Sequence, residues 1–179
     1  MISEAVRSHY IGLFGEPSRV AQFRNPKFAL EILKWDADRH PEGVAFYATV
    51  GRSTQALPRE ELTHRVEFFT GLLPPEDAVA FPLADLAACS DALTPGSTFT
   101  WTRAPALWRG TLMSSFLIFR PLKEIVPPLE VEGVHVLFDQ AIPLFPSECA
   151  FVVDHGAQAL RERWQASRVP FWKPDRIEG

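Results

Sequence analysis

The chain has 179 residues, of which 46% are hydrophobic and 22% charged, and its formal net charge at pH 7 is −4. A chain of this length and composition can fold as one domain around a sizeable core, which excludes large-scale disorder. The charge balance lacks the basic excess of nucleic-acid-binding proteins, and no apolar run reaches the roughly 18–20 residues of a membrane span. We therefore expect neither nucleic acid nor a membrane as a partner.

The first half of the chain predicts one helix followed by three strands. The apolar spacing of residues 3–14 predicts a helix, with Ser3 as its N-cap and with Gly15 and Pro17 after its end. Alternating apolar residues then predict strands, which we expect to be antiparallel neighbours in one sheet. These strands are 27–33, 44–50 and 65–70, with a turn over 36–43 and a polar loop over 51–61.

The second half predicts a helix, three strands and two closing helices. Because Pro82 breaks or restarts a helical hydrogen-bond ladder, we expect the first helix to run from about Leu83 to Ala92, with one further turn before it as an alternative. Segment 134–144 is apolar on both faces, which is typical of a strand inside a sheet that is covered on both sides. The remaining predicted elements are strands over 99–101 and 114–119, a turn at 127–128, and helices over 147–155 and 157–166 joined at Gly156.

The order of these elements indicates the fold class. Helices and strands come in separate groups rather than in strict alternation, which favours an α+β fold over a parallel α/β sheet. We expect a single domain over residues 1–179, with a twisted, mixed, largely antiparallel central sheet and flanking helices.

Two features bear on where the protein works. The beginning of the chain lacks the basic and apolar regions of a signal peptide. Its two cysteines, Cys89 and Cys149, are too few for a disulfide framework in a chain of this size. Both features predict a cytoplasmic protein with two reduced thiols.

No motif in the sequence points to catalysis or to a metal. There is no nucleophile elbow, Walker loop or dinucleotide-binding glycine pattern. His64 and Glu67 fall on opposite faces of a strand, and His135 and Asp139 share a face but lie about 13 Å apart. A thiol–imidazole pair at Cys149 is the less common alternative to a buried thiol. We therefore predict a protein that is not an enzyme, with no catalytic residue, metal or cofactor.

The acidic residues are unevenly distributed along the chain. If the two stretches that lack Lys and Arg lie together, they form an acidic surface that steers a cationic partner; the alternative is that these acids only keep the loops in water. As candidates for an acidic partner-facing surface we take Glu130, Glu132 and Asp139. The stretches are 66–102, with Glu67, Glu76, Asp77, Asp85 and Asp91, and 124–160, with Glu124, Glu130, Glu132, Asp139, Glu148 and Asp154.

Four segments, taken in order, carry a family resemblance. They are 46–53 (FYATVGRS), 66–74 (VEFFTGLLP), 83–88 (LADLAA) with the turn 94–98, and 134–148 (VHVLFDQAIPLFPSE) leading into 155–160. In this order they resemble the Suppressor of fused domain in its compact bacterial form. The likeness covers about residues 25–175, which leaves residues 1–24 as an N-terminal helix and lead-in.

The resemblance implies a non-enzymatic binding fold. Bacterial single-domain members are similar to immunity proteins of polymorphic toxin systems, so the implied partner is a cognate toxin domain that is bound and neutralised. The eukaryotic relative is a cytoplasmic regulator that holds a transcription-factor segment. The alternative is therefore a general interaction module that takes an extended segment by strand addition. A hydrolase or metal enzyme with a non-local site remains a minor alternative, and the sequence predicts no oligomeric state.

Overall fold

The order of elements along the chain is helix, four strands, helix, four strands and two helices. The computed structural model describes residues 1–56, 64–89 and 93–178. The helices are α1 (Ile2–Phe14), α2 (Ala80–Ala88), α3 (Pro146–His155) and α4 (Ala157–Ser167). The strands are β1 (Arg19–Phe23), β2 (Leu30–Trp35), β3 (Ala45–Val50), β4 (His64–Leu72), β5 (Thr98–Thr100), β6 (Ser115–Phe119), β7 (Leu129–Val131) and β8 (Val134–Leu144).

The strands form one mixed sheet in the order β1-β2-β3-β4-β8-β6-β5, and β7 pairs with the beginning of β8. The pairing of β4 with β8 is parallel, whereas the other pairings are antiparallel. The predicted α+β fold is therefore confirmed, as is the antiparallel order of β2, β3 and β4. The prediction that 134–144 lies inside the sheet is also confirmed, since β8 lies between β4 and β6.

Both faces of the sheet are covered, and alternate residues of β8 show how. Val136 and Phe138 pack in a cluster with Val6 and Tyr10 of α1. Further along the same face, residues 142 and 144 pack against α3 and α4. Ala141 points to the opposite face, where α2 covers β2, β3, β4 and β6. Among the described residues, no helix is both long and apolar enough to cross a bilayer.

Several element boundaries differ from the prediction. Helix α1 begins at Ile2, so Ser3 lies inside the helix and is not its N-cap. Helix α2 begins at Ala80 because Pro82 lies in its first turn, where its missing N–H has no helical partner to lose. It ends at Ala88, before the predicted end, and residues 90–92 lie outside the described part of the chain. So do residues 57–61 of the predicted loop.

Strands β1 and β7 were not predicted from the sequence. Four of the five β1 residues are exposed, so this strand has no alternation of apolar and polar positions to mark it. Strand β7 has three residues and forms a hairpin with β8. Its turn consists of Glu132 and Gly133, both with positive φ, which matches the right-handed twist of a two-residue hairpin. Short or exposed strands give little periodic signal.

His40, in the turn between β2 and β3, is a buried titratable group. Its side chain is 4% exposed, and its ring stacks on Phe46 with centroids 4.2 Å apart and contacts Phe14 at 4.5 Å. The Glu42 amide donates a hydrogen bond to Nδ1 at 3.3 Å. The buried Nε2 has no hydrogen-bond partner among the described residues. Protonating Nδ1 would place two donors against each other, so this environment favours the neutral ring.

We expect His40 to make the fold sensitive to acid. Burial lowers the pKa of His40 to about 4, while the Glu42 carboxylate partly opposes that shift. The unfolded chain, with a His pKa near 6.5, therefore binds the proton more tightly, and stability is lost as the pH falls from about 6.5 to 4. The loss reaches about 3 kcal/mol at roughly 1.4 kcal/mol per pKa unit. Urea denaturation of the wild type and His40→Asn between pH 7.5 and 4.5 measures this difference.

The matched control for His40 is His155→Asn, which changes an exposed histidine at the end of α3. That variant should keep the pH dependence of the wild type. Equal slopes of unfolding free energy against pH in the wild type and His40→Asn would contradict the assignment of the acid sensitivity to His40.

Candidate functional site

A cleft crosses the middle of the sheet, on the face that carries α1, α3 and α4. It consists of two adjoining hollows of about 390 and 380 Å³, which share Phe69 and Ile125. Its floor comes from the central strands β4 and β8, through Phe69, Gly71 and Gln140. One wall is the segment 120–128, and the other is the segment after α4, through Phe171 and Trp172. We call this feature the central cleft.

The cleft stays open because of two features of its floor. The residue pairing of β4 with β8 ends at Phe69 and Gln140, so the last residues of β4 have no β8 partner. Gly71 follows in the floor, and a Cβ there would lie 2.6 Å from Cγ2 of Val44, so a larger residue would force Val44 to move. Gly71 thus adds no side chain to the floor, and Val44 occupies the space next to it.

The rim of the central cleft exposes large apolar side chains. Leu73 and Trp172 are each 40% exposed, and Leu122 is 95% exposed. At one end, the Lys123 ammonium lies 3.3 Å from the Glu42 carboxylate and joins two loops across the rim. A largely apolar floor with exposed leucine and tryptophan side chains at the rim and a polar end is compatible with a protein-binding surface.

The wall that contains Trp172 is fixed to the domain at two points. The Leu73 amide donates a hydrogen bond to the Trp172 carbonyl at 3.0 Å, which ties this segment to the end of β4. Further on, Arg176 donates to both carboxylate oxygens of Glu148, at 2.7 and 2.6 Å, and the Trp164 indole donates to the same carboxylate at 2.9 Å. Glu148 and Arg176 are each 7% exposed, so this is a buried ion pair.

The segment 46–53 is organised around a buried carboxylate that sequence reasoning misassigned. Glu67 is fully buried and accepts hydrogen bonds from the hydroxyls of Thr49 and Ser53, at 2.5 and 2.6 Å. It also accepts from the backbone amides of Gly51 and Ser53, both at 2.9 Å. Glu67 is therefore no part of an acidic surface. The Thr-x-Gly-x-Ser pattern upstream supplies its four donors.

Gly51 has a backbone that this network requires. Its φ of 128° lies in a region that favours glycine, and a Cβ there would lie 2.1 Å from the Ala29 carbonyl oxygen. His64, which the sequence placed on the opposite face from Glu67, contacts the ring of His135 with centroids 5.7 Å apart. The structure therefore does not bring His64 and Glu67 into one site.

The three candidates for an acidic surface do not all reach solvent. Asp139 is 1% exposed and binds Arg120 through two hydrogen bonds, at 2.8 and 3.1 Å, so it does not lie on a partner-facing surface. The physical reason is the interior position of β8, where even a charged side chain is covered. Glu130 is exposed and binds Nδ1 of His135, and Glu132 lies 3.2 Å from the N-terminal ammonium.

Cations from other segments neutralise much of the predicted acidic side. Asp77 lies 2.7 Å from the Lys34 ammonium and 2.9 Å from the Arg19 guanidinium. Asp85 lies 2.8 Å from the Arg103 guanidinium. The cation-free stretches of the sequence thus meet cations in space, and Asp91 lies outside the described residues. Only Glu130 and Glu132 remain of the candidate acidic surface, each with a positively chargeable neighbour.

Side chains that could ligate a metal ion do not form a cluster in the described part of the chain. Across residues 1–56, 64–89 and 93–178, no three or more His, Cys, Asp or Glu side chains are arranged to hold a metal ion. Cys89 and Cys149 are free and partly exposed. The central cleft was missed by sequence reasoning because its lining comes from distant segments. The one local signal was the aromatic pair in Pro170–Pro174, which the charge analysis did not use.

Three solved structures show what this fold is similar to. A putative SUFU (suppressor of fused protein) homolog from Neisseria gonorrhoeae FA 1090 is 17% identical and superposes with a TM-score of 0.70, covering 99% of this chain and 96% of its own. A chain of the Sufu–Fu complex is 15% identical, with a TM-score of 0.72 and coverage of 99% and 91%. Drosophila Suppressor of Fused is 15% identical, with a TM-score of 0.69, and this chain spans 50% of its length.

Comparisons of the amino-acid sequence, rather than of the structure, show which family the chain belongs to. A search of curated protein sequences finds no match. The sequence model of the Suppressor of fused protein (SUFU) family matches residues 27–177, close to the range 25–175 expected from the resemblance. This range contains the Glu67 network, the parallel β4–β8 pair and the whole central cleft. The chain therefore belongs to the Suppressor of fused protein family.

Proposed function

We propose that this chain is a non-enzymatic protein-binding domain that holds its partner at the central cleft. The observation that carries the proposal is the cleft itself, with an apolar floor and with Leu73, Leu122 and Trp172 exposed at its rim. Large apolar side chains around a concave surface favour binding, because a partner that covers them removes apolar area from water. An exposed aromatic residue that a partner covers completely, as we propose for Trp172, is a common anchor in such an interface.

The relatives support a protein as the partner. One of the similar chains comes from the Sufu–Fu complex, so this fold occurs in a complex between two proteins. The bacterial homolog covers nearly the whole of this chain and is itself covered over 96% of its length, which supports a role for the fold as a single domain. We propose that the partner here is a cognate toxin domain, as the compact bacterial form of the family suggests.

In this proposal the domain neutralises the toxin by occlusion. A rigid face binds over the toxin's active site, and no bond is made or broken by the domain's own side chains. Co-expression with the toxin domain encoded beside this gene tests it: growth should be rescued and the two chains should co-purify in equal amounts. Growth arrest despite co-expression, with no complex recovered for any neighbouring toxin domain, would contradict the toxin as partner.

The contact face is tested separately with Trp172→Ala. Because Trp172 lies at the rim and is 40% exposed, we expect its removal to weaken partner binding by about 2–3 kcal/mol, or roughly 30–150-fold, with little change in the stability of the free domain. Isothermal titration with the co-purifying partner measures the change. The matched control is Phe81→Ala, an aromatic residue in α2 on the opposite face that is 62% exposed. Equal binding by Trp172→Ala and the wild type would contradict the central cleft as the contact face.

A second candidate function rests on the edge strand β1. Within the described residues, β1 pairs with β2 alone, and four of its five residues are exposed. An extended peptide segment can add to such an edge through backbone hydrogen bonds. Recovery of short linear peptides rather than one folded toxin, with binding unaffected by Trp172→Ala, would favour this interaction module over the immunity role.

A further inference from the structure

A small polar pocket lies beside the turn after β3, away from the central cleft. It has a volume of about 180 Å³ and is lined by residues from three segments. Lys27 comes from the loop before β2, Arg52 and Gln55 from the turn after β3, and Cys89 from the end of α2. We call it the Arg52 pocket. At about 30 Å³ for each water, its volume corresponds to about six waters, which is enough for a small polyatomic ion.

The Arg52 side chain is a buried cation to which the described residues supply no hydrogen-bonded anion. It is 4% exposed, yet no carboxylate or carbonyl of the described residues accepts a hydrogen bond from its guanidinium. Burial lowers the pKa of Arg52 from its ordinary value, and the nearby Arg65 adds to that shift, whereas Glu67 and Cys89 oppose it. An arginine nevertheless stays charged in proteins, so this charge lies in a largely buried place with no hydrogen-bonded counter-ion among the described residues.

Glu67 does not serve as that counter-ion through a direct bond. Its Oε1 accepts from the Gly51 amide, the Ser53 amide and the Ser53 hydroxyl, and its Oε2 accepts from the Thr49 hydroxyl. These neutral donors occupy the carboxylate, and Arg52 lines the pocket. A buried charge without a bonded partner is costly, so we expect an ordered water or a bound ion to complete it.

We propose that the Arg52 pocket binds a phosphate-type oxyanion. The planar Arg52 guanidinium offers paired N–H donors, Lys27 adds a second positive charge at the mouth, and the Gln55 amide adds a neutral donor. Lys27 reaches the pocket from a different wall than Arg52 and Gln55, which suits a tetrahedral ion better than a planar carboxylate. This site is independent of the central cleft and of the proposed toxin binding.

The partly exposed thiol of Cys89 in the pocket wall offers a direct assay. In a Cys149→Ser background, Cys89 is alkylated with iodoacetamide at increasing inorganic phosphate, with ionic strength held constant by potassium chloride. We expect phosphate to slow alkylation of Cys89 several-fold and in a saturable way. We expect Arg52→Gln and Lys27→Gln to raise the half-saturating phosphate concentration by about tenfold or more.

Three controls make the experiment decisive. Cys149 in a Cys89→Ser background should show no phosphate effect, and Arg103→Gln, which changes an exposed arginine paired with Asp85, should respond as the wild type does. Lys27 is exposed, so Lys27→Gln remains informative if Arg52→Gln fails to fold. Absence of a saturable response, an equal response at Cys149, an unchanged response in Lys27→Gln, or saturation by acetate at lower concentration than by phosphate would each overturn the proposal.

Discussion

Replacing Glu67 with alanine is expected to lower the free energy of unfolding by about 3–5 kcal/mol. The side chain is fully buried and accepts four hydrogen bonds from Thr49, Gly51 and Ser53. Each buried donor that loses its acceptor costs about 1–3 kcal/mol, and the removed atoms also leave a cavity. Urea denaturation at pH 7 measures the loss, which should fall in the range seen for a broken buried network.

Glu67→Gln separates hydrogen bonding from charge. The amide oxygen can still accept from the Gly51 and Ser53 groups, whereas the amide NH2 faces the Thr49 hydroxyl, which already accepts from the Phe68 amide at 2.8 Å. We expect Glu67→Gln to lower the free energy of unfolding by about 1–2 kcal/mol, clearly less than Glu67→Ala.

Glu31→Ala, which removes a partly exposed carboxylate paired with Arg7, is the matched control and should lower the free energy of unfolding by less than about 1 kcal/mol. A Glu67→Ala variant no less stable than this control would contradict the role of Glu67.

The Glu67 network joins two sequence features, a lone carboxylate in an apolar strand and a Thr-x-Gly-x-Ser pattern, that the sequence analysis did not connect. A single carboxylate lies within the apolar run VEFFTGLL, and a carboxylate that is buried there needs hydrogen-bond donors. The Thr-x-Gly-x-Ser pattern at 49–53 provides them, so two of the four segments that carry the resemblance, 46–53 and 66–74, are parts of one hydrogen-bond network. Counting acids along the chain hid this relation, because it treated every acid as exposed.

Periodic segments were predictable, and contacts between distant segments were not. Strand β8 was identified because both of its faces are apolar, and that pattern also gave its interior position. The parallel pairing of β4 with β8 has no local signal, since it joins residues about 70 positions apart. The central cleft follows from that pairing and from the segment after α4, so it could not be predicted before the topology was known.

The ion pair of Asp139 could not be predicted from the charges along the chain either. It lies in a stretch without Lys or Arg, which suggested a free acidic surface, but Arg120 reaches it from just outside that stretch. An ion pair of this kind depends on the antiparallel register of β6 with β8, which brings Phe119 opposite Gln140 and so places the next residue near Asp139. Charge spacing along one strand says nothing about the neighbouring strand.

Arg176→Ala is expected to have the second large effect, on the wall of the central cleft and on stability together. The substitution would leave the Glu148 carboxylate buried with only the Trp164 indole and the Phe145 amide as donors. Breaking one side of a buried ion pair typically costs about 3–5 kcal/mol. Arg176 also packs over the rings of Phe145 and Trp164, at 4.7 and 5.4 Å from their centroids, so the loss includes cation–π contacts.

Two measurements distinguish this effect from a general loss of stability. The first is the free energy of unfolding. The double variant Glu148→Gln/Arg176→Met leaves no unpaired charge, so it should be more stable than Arg176→Ala. The control Arg103→Ala removes an exposed ion pair and should lower the free energy of unfolding by less than about 1 kcal/mol. The second is hydrogen exchange at the Leu73 amide, which donates to the Trp172 carbonyl. This exchange should become faster in Arg176→Ala under native conditions. Since the same segment carries Trp172, partner binding should weaken in Arg176→Ala as well. Unchanged exchange at Leu73 together with wild-type stability would show that Arg176 does not hold this wall in place.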